Sequence, residues 1–125
     1  MIVRNVNTGV KAGYSVSGTE LTVDVPHVGA VTVDLQARQG DSRRTLDFSL
    51  DKDYARVVEG VGPWYVATVV VPAVEKQPVE TGQMDGEGNP VIEEVAIPLD
   101  MSQVELHLWG LPSTVSAIIN QEGDV

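Results

Sequence analysis

Hydrophobic and polar residues alternate with a period of two along four segments of the chain. The apolar positions of these segments are Leu21, Val23 and Val25; Val31, Val33, Leu35 and Ala37; Leu46, Phe48 and Leu50; and Val104, Leu106 and Leu108. A period of two with polar residues in between is typical of an antiparallel strand that buries one face. The sequence therefore predicts a half-buried strand at each segment.

Short polar stretches that contain glycine separate the predicted strands. We expect Ser17-Gly18-Thr19 to close a hairpin between the Tyr14 and Leu21 strands. Residues 39–42 are expected to close a second hairpin, between the Val31 and Leu46 strands.

Helical signals are few. One short helix is predicted at residues 52–59, with Asp51 as its N-cap and Gly60 as its C-terminal stop. Residues 114–120 fit a weak helix and a last strand equally well, because they are rich in β-branched side chains.

The length of 125 residues suits one domain with its own core, spanning residues 1–125. The elements predict an all-β fold, an antiparallel β-sandwich or open barrel of about eight strands with one short helix and a protruding acidic β-hairpin. No apolar run approaches the roughly 20 residues that span a bilayer, and the first residues lack a secretory signal. We therefore expect cytoplasmic synthesis and no membrane partner. The absence of cysteine excludes disulfides and thiolate-bound metals.

Residues 64–71 break the alternation, because both faces of this predicted strand are apolar. A strand in a two-layer sandwich normally has one solvated face, so this one needs a second cover. Either residues 115–119 of the same chain or another subunit supplies it. Trp109, on the polar side of its strand, suits an interface better than open solvent. The candidate interface residues are Trp64, Tyr65, Val66, Val70 and Trp109.

Residues 72–99 form a second irregularity. Two limbs of matching length lead to and from Asp85-Gly86, and prolines interrupt both limbs. Proline cannot donate to a strand ladder, so these limbs do not belong in the middle of a sheet. The segment predicts a projecting acidic β-arm, ordered only in part in the free protein; the alternative is a plain surface loop. The candidate arm residues are Pro78, Val79, Met84, Asp85, Asn89 and Val91.

The net charge of −10 lies entirely in the second half of the chain. Up to Val58 the acidic and basic residues balance, and from Glu59 onward Lys76 is the only basic residue. Such a surface repels phosphate backbones and anionic lipid, so we expect no nucleic-acid partner. The excess either keeps the protein soluble or forms a face complementary to a partner or a neighbouring subunit.

Motifs that would carry chemistry are weak. The turn from Asp85 to Asn89 spaces its oxygen-bearing side chains as a calcium loop does, but Pro90 stands where an EF-hand requires glycine. The two histidines, His27 and His107, fit no zinc-binding spacing. We therefore expect no catalytic residues, no metal ligands, no cofactor and no enzymatic activity.

The stretch from Asp85-Gly86-Glu87-Gly88-Asn89-Pro90-Val91 through Val104-Glu105-Leu106-His107-Leu108-Trp109 resembles small bacteriophage or prophage-encoded virion proteins. Accessory head and tail proteins of this kind carry an acidic hairpin before a final apolar strand. The resemblance implies a non-enzymatic β-structural subunit in a virion, which self-assembles or docks to other virion proteins.

Two functional hypotheses follow. In the first, the protein is a structural or interaction protein that forms a homo-oligomer and contacts other structural proteins through its apolar strand and its arm. In the second, it is a monomeric ligand- or carbohydrate-binding β-sandwich module, which uses exposed aromatic side chains. Trp64, Tyr65 and Trp109 are the candidates for that role.

Overall fold

The computed structural model describes residues 1–115, which contain ten β-strands, one 3₁₀ turn and helical residues at 113–115. In chain order the elements are β1 (Ile2–Asn5), β2 (Gly13–Ser17), β3 (Glu20–Val25), β4 (Gly29–Asp34), β5 (Arg44–Leu50), β6 (Val57–Glu59), β7 (Trp64–Val71), β8 (Lys76–Met84), β9 (Pro90–Ala96), the 3₁₀ turn (Met101–Gln103) and β10 (Glu105–Leu108). The prediction of an all-β sandwich or open barrel is confirmed, with ten strands in place of about eight.

The strands are arranged in three sheets. A five-stranded sheet has the order β1-β10-β7-β5-β6, a three-stranded sheet the order β2-β3-β4, and β8 and β9 pair as a two-stranded sheet. Neighbouring strands are antiparallel except β1 and β10, which are parallel. The edge strands β4 and β6 lie against each other, so the two larger sheets meet at that side.

The core lies between the two larger sheets. Leu21, Val23 and Val25 of β3 are fully buried and belong to one cluster with Phe48 of β5 and Leu106 of β10. Along β3 and β10, buried residues alternate with more exposed ones, as the sequence pattern predicts.

Of the two predicted hairpins, one is present. β2 and β3 pair around Gly18, whose φ of 60° favours glycine. The hairpin predicted at residues 39–42 is wrong, because β4 pairs with β3 in one sheet while β5 pairs with β6 and β7 in another. The polar segment is a crossover between layers. Alternation identifies strands, but it does not identify their partners.

The predicted helix at residues 52–59 is also wrong. The Asp51 carboxylate accepts hydrogen bonds from the backbone N–H groups of Ala55 (2.8 Å) and Arg56 (3.4 Å), so it closes a loop. Val57 is buried and begins β6, which pairs with β5. A β-branched residue that packs on the core favours the strand over a helix of two turns.

The strand with two apolar faces, β7, is the central strand of the five-stranded sheet. The register between β5 and β7 shifts where Phe48 pairs with Ala67 and Ser49 with Tyr65, which leaves Val66 as an extra residue. Such a bulge turns consecutive side chains to the same side, and Val66 and Ala67 are both fully buried.

The cover that the sequence suggested for β7, residues 115–119, falls mostly outside the described residues. Val115 is buried and belongs to the core cluster, and residues 113–115 are helical. Of residues 114–120, for which the sequence left helix and strand open, the structure describes only residues 114 and 115, and these are helical. Within residues 1–115, no helix has the length and hydrophobicity to cross a membrane.

Candidate functional site

An exposed hairpin, here called the arm (residues 76–96), is built by β8, β9 and the turn between them. β8 pairs antiparallel with β9, starting with Lys76 opposite Ala96. Every residue of both strands is exposed, and none belongs to the core cluster. Pro78 and Pro90 lie in this two-stranded ribbon, where a missing N–H donor is tolerated.

The tip of the arm is closed by the Asp85 side chain. Its carboxylate accepts hydrogen bonds from the backbone N–H groups of Glu87 (2.8 Å) and Asn89 (3.0 Å). The Asp85 N–H donates to the Asn89 carbonyl across 2.8 Å. Because the bonds from Asn89 and then Glu87 favour the ionised form, they lower the pKa of Asp85 below its ordinary value. Of the oxygen-bearing side chains that alternate in this turn, Asp85 therefore fixes the backbone of the turn through its hydrogen bonds.

The register of the arm assigns its side chains to two faces. Val79 lies opposite Glu93, and these two residues share a face with Val91 and Val95, which lie two positions from Glu93 along β9. These three valines are 40%, 37% and 43% exposed, respectively. The register places Glu80, Glu94 and the exposed Ile92 on the other face. The first face presents three exposed valines, here called the valine stripe, with Glu93 among them.

The base of the arm is fixed to the body by hydrogen bonds. The Gln39 side-chain amide donates to the Pro72 carbonyl (3.1 Å), and the Leu99 N–H donates to the Gln36 side-chain oxygen (3.0 Å). Beside these contacts lies an open cleft of about 410 Å³, which Gln39, Pro72 and Leu99 help to line. The arm thus leaves the body from an anchored base.

A second surface is the outer face, the side of the five-stranded sheet that points away from the core. Its side chains lie in rows across the strands. One row is Thr45, Val70, Glu105 and Ile2, and the next is Asp47, Thr68, His107 and Arg4. The intervening rows, such as Leu46, Val69 and Leu106, face the core.

Hydrogen bonds and ring contacts connect the outer face. The Trp109 indole N–H donates to the Thr68 hydroxyl (3.2 Å), and that hydroxyl donates to the Asp47 carboxylate (2.9 Å). The rings of Tyr65 and Trp109 lie 5.9 Å apart with their planes tilted by 36°. The Nε2 atom of His107 is buried and has no hydrogen-bond partner within residues 1–115. The outer face is therefore ordered, and one of its polar atoms is unsatisfied.

The structure brings together only some of the predicted interface residues. Tyr65 and Trp109 are partly exposed on the outer face, and Val70 lies on the same face but is buried at 8% exposure. Trp64 lies apart from them, donates its indole N–H to the Gly110 carbonyl (2.8 Å) and contacts Tyr54 edge-on. Val66 is fully buried within the chain, so it is corrected from an interface residue to a core residue.

Residues that the sequence analysis missed complete both surfaces. On the outer face these are Ile2, Thr68 and His107, which meet through the pairing of β1, β10 and β7. No local pattern indicates that pairing. On the arm the missed residue is Val95, and its alternation with Val91 would have shown that both share a face.

Two of the three arginines at residues 38–44 are held by contacts within the chain. Arg38 makes two hydrogen bonds to the Glu59 carboxylate, and Arg44 donates to the Arg38 carbonyl across 3.0 Å. Residues 1–115 contain no group of three or more His, Cys, Asp or Glu side chains that could hold a metal ion.

Comparison of the chain with protein-family models, with curated proteins and with solved structures gives no match.

Proposed function

We propose that the chain is a non-enzymatic structural protein of a bacteriophage or prophage particle, which self-assembles through its arm and its outer face. The observation that carries the proposal is the arm: residues 76–96 form a paired hairpin, every residue of its two strands is exposed, and one face presents Val79, Val91 and Val95. A hairpin of this kind adds nothing to the core of its own subunit. Its role is therefore contact with another molecule.

The physics of an isolated hairpin supports this role. Two strands alone are marginally stable in water, because they lack a sheet or helix on which to bury a face. Val79, Val91 and Val95 expose about two fifths of their surface each. Burial of apolar surface is favourable by about 25 cal/mol per Å². Covering the valine stripe in an assembly would stabilise both the contact and the arm.

The outer face supports a second contact. Tyr65 and Trp109 are partly buried aromatic side chains in ring contact, and Trp109 bonds to Thr68 of the same face. Aromatic side chains are enriched at the centres of protein interfaces.

The resemblance to virion proteins agrees with both surfaces. Its first part, residues 85–91, forms the tip of the arm and the start of β9, and its second part, residues 104–109, forms β10 and Trp109. The segments that carry the resemblance are therefore those that present the arm and the outer face. The proposed partners are further copies of the chain and other structural proteins.

Excision of the arm tests the proposal. Gln77 lies opposite Val95, so residues 78–94 can be replaced by an Asn-Gly turn that joins the two strands at that pair. We expect the excised protein to keep its fold by circular dichroism and to stay monomeric in light scattering after size exclusion. The full chain is expected to assemble at the same concentration. Gly86→Ala, at the tip, is the control and should assemble like the wild type.

Two results would overturn the proposal. One is a wild-type chain that is strictly monomeric at high micromolar concentration. The other is an excised protein that assembles as the wild type does.

A further inference from the structure

The arm has two edges, and only one of them is equipped to pair along its length. The Ile97 N–H donates to the Glu75 carbonyl across 2.7 Å, which makes this pair hydrogen-bonded. Bonded and non-bonded pairs alternate in an antiparallel ladder. Gln77 and Val95 therefore form the next bonded pair, and the backbone groups of Pro78 and Glu94 point away from each other.

On β8 the outward edge is interrupted. Pro78 has no N–H to offer there, and the register shifts between Glu80 and Met84. On β9 the outward edge consists of Ile92, Glu94 and Ala96, which all have an N–H and a carbonyl. Unpaired strand edges of this kind readily accept a further strand. The β9 edge is thus the pairing edge of the arm.

The negative charge of β9 disfavours pairing between the β9 strands of two copies. Glu93 and Glu94 lie in its middle, and two antiparallel β9 edges centred there would place carboxylates opposite one another. Like charges directly opposite destabilise a strand pair. The complementary edge must therefore be neutral or basic.

β1 is the edge strand of the body that meets this requirement with a basic residue. Within residues 1–115 it pairs with β10 alone, and it contains Arg4 after two exposed apolar residues, Ile2 at 45% and Val3 at 39%. The Arg4 guanidinium donates to the Glu105 carboxylate across 3.0 Å, and its side chain remains 63% exposed. The other edge strands of the body fit less well. β2 contains no charged residue, and its Ser17 lies opposite the acidic Glu20 of β3. β4 and β6 lie against each other.

The backbone of β1 is oriented for such a pairing. The N–H groups of Ile2 and Val6 donate to Val104 and Leu108 of the β10 side, at 2.8 and 2.9 Å. In a parallel pair, alternate residues bond to the same neighbour, so the backbone groups of Val3 and Asn5 point outward. β1 thus has an open edge of two residues that matches the open edge of β9.

We propose that the arm of one copy adds its β9 edge to the β1 edge of a second copy, which extends the five-stranded sheet of that copy to seven strands. This inference rests on the proposed function and names the surface on which the arm docks. The contact is heterologous, because each copy gives one edge and receives on another. Repetition of such a contact produces a ring or a filament, and reciprocal exchange of arms between two copies produces a closed dimer.

Proline substitutions can block each edge separately. Val3→Pro removes an outward N–H of β1, and Glu94→Pro removes an outward N–H of β9; neither removes a hydrogen bond within the subunit. The matched controls, Val3→Ala and Glu94→Ala, keep the N–H. Asn5→Pro replaces Val3→Pro as a second β1 variant where the first does not fold by circular dichroism.

The test is sedimentation velocity on each variant alone and on an equimolar mixture. We expect each proline variant alone to need at least roughly tenfold more protein to assemble, because a blocked edge loses a hydrogen bond and meets the proline ring. In the mixture, the Val3→Pro variant keeps an intact β9 edge, and the Glu94→Pro variant keeps an intact β1 edge. The mixture should therefore form a heterodimer that does not grow further.

The other outcomes separate the inference from the proposed function. If the wild type assembles but both proline variants assemble equally well, the pairing of β9 with β1 is wrong and assembly through another surface stands. If only Glu94→Pro is impaired, the arm docks elsewhere than β1, and the inference fails. If the wild type itself does not assemble, both fail.

Discussion

Thr68 lies between Trp109 and Asp47, and its hydroxyl accepts the Trp109 indole N–H at 3.2 Å while it donates to the Asp47 carboxylate at 2.9 Å. One hydroxyl thus satisfies two partners, which a serine or threonine side chain can do because it is both donor and acceptor. The orientation of Trp109 on the outer face is therefore set by a polar chain across β10, β7 and β5. Its ring is held where it meets Tyr65.

Thr68→Val keeps the shape of the side chain and removes the hydroxyl. We expect it to lower the free energy of unfolding by about 1–2 kcal/mol, because the indole N–H and one carboxylate oxygen lose a partner at a half-buried site. Urea unfolding followed by tryptophan fluorescence measures the change. Thr45→Val, on the same face but exposed, is the control and should change stability by less than about 0.5 kcal/mol. Equal losses in both variants would contradict this account.

Gly110 lies where two segments of the chain approach closely. Its N–H donates to the Asn7 side chain across 2.5 Å, and a Cβ added at Gly110 would collide with the Thr8 carbonyl oxygen. We expect Gly110→Ala to cost about 1–3 kcal/mol of stability, because the backbone must move to accept the methyl group. Denaturant midpoints measure the loss.

The control for this substitution is Gly86→Ala at the tip of the arm. A Cβ there meets no atom within 4 Å, so the stability should be unchanged within about 0.5 kcal/mol. A tolerated Gly110→Ala would show that the contact between these two segments is loose.

The strands that were predictable are those whose burial follows from local sequence. Leu21, Val23 and Val25 alternate with polar residues, and all three are fully buried. The arm was predictable for a related reason: its prolines and its polarity exclude it from a core, and β8 and β9 indeed pair apart from the larger sheets. The alternation of apolar and polar residues, and the inability of proline to donate a backbone hydrogen bond, both depend on a few neighbouring residues. The sequence therefore shows both directly.

The features that escaped prediction depend on distant parts of the chain. Ile2 and Arg4 join the outer face because β1 pairs with β10, about a hundred residues later in the sequence. Val57 leaves the predicted helix because β5 offers it a strand partner and a place in the core. Tyr65 and Trp109 meet through the pairing of β7 with β10. Local propensity is weak compared with such tertiary contacts.

The valine stripe of the arm can be changed without altering its shape. Val79, Val91 and Val95 replaced together by threonine keep the β-branched side chain and its preference for strands. We expect the triple variant to fold with unchanged stability and to assemble at higher concentration than the wild type, because less apolar surface is buried on contact. Sedimentation velocity over a concentration series measures this. Val16→Thr on β2, where the side chain is similarly exposed at 42%, is the control. Assembly unaffected by the triple substitution would remove the stripe from the interface.

Acid should destabilise the fold through aspartates that cap turns. The Ala55 N–H, and after it the Arg56 backbone and side chain, lower the pKa of Asp51, and similar hydrogen bonds lower the pKa values of Asp34, Asp85 and Asp100. A carboxylate with a lowered pKa stabilises the folded state above its unfolded pKa of about 3.9, and this contribution is lost as the pH falls through the folded pKa. We therefore expect a melting temperature that is steady above about pH 5 and falls below about pH 4. Asp51→Asn, which keeps an acceptor oxygen but does not titrate, should reduce that fall, whereas the exposed Asp41→Asn should not. Parallel curves for wild type and Asp51→Asn from pH 7 to pH 2.5 would show that the Asp51 turn does not contribute to acid sensitivity.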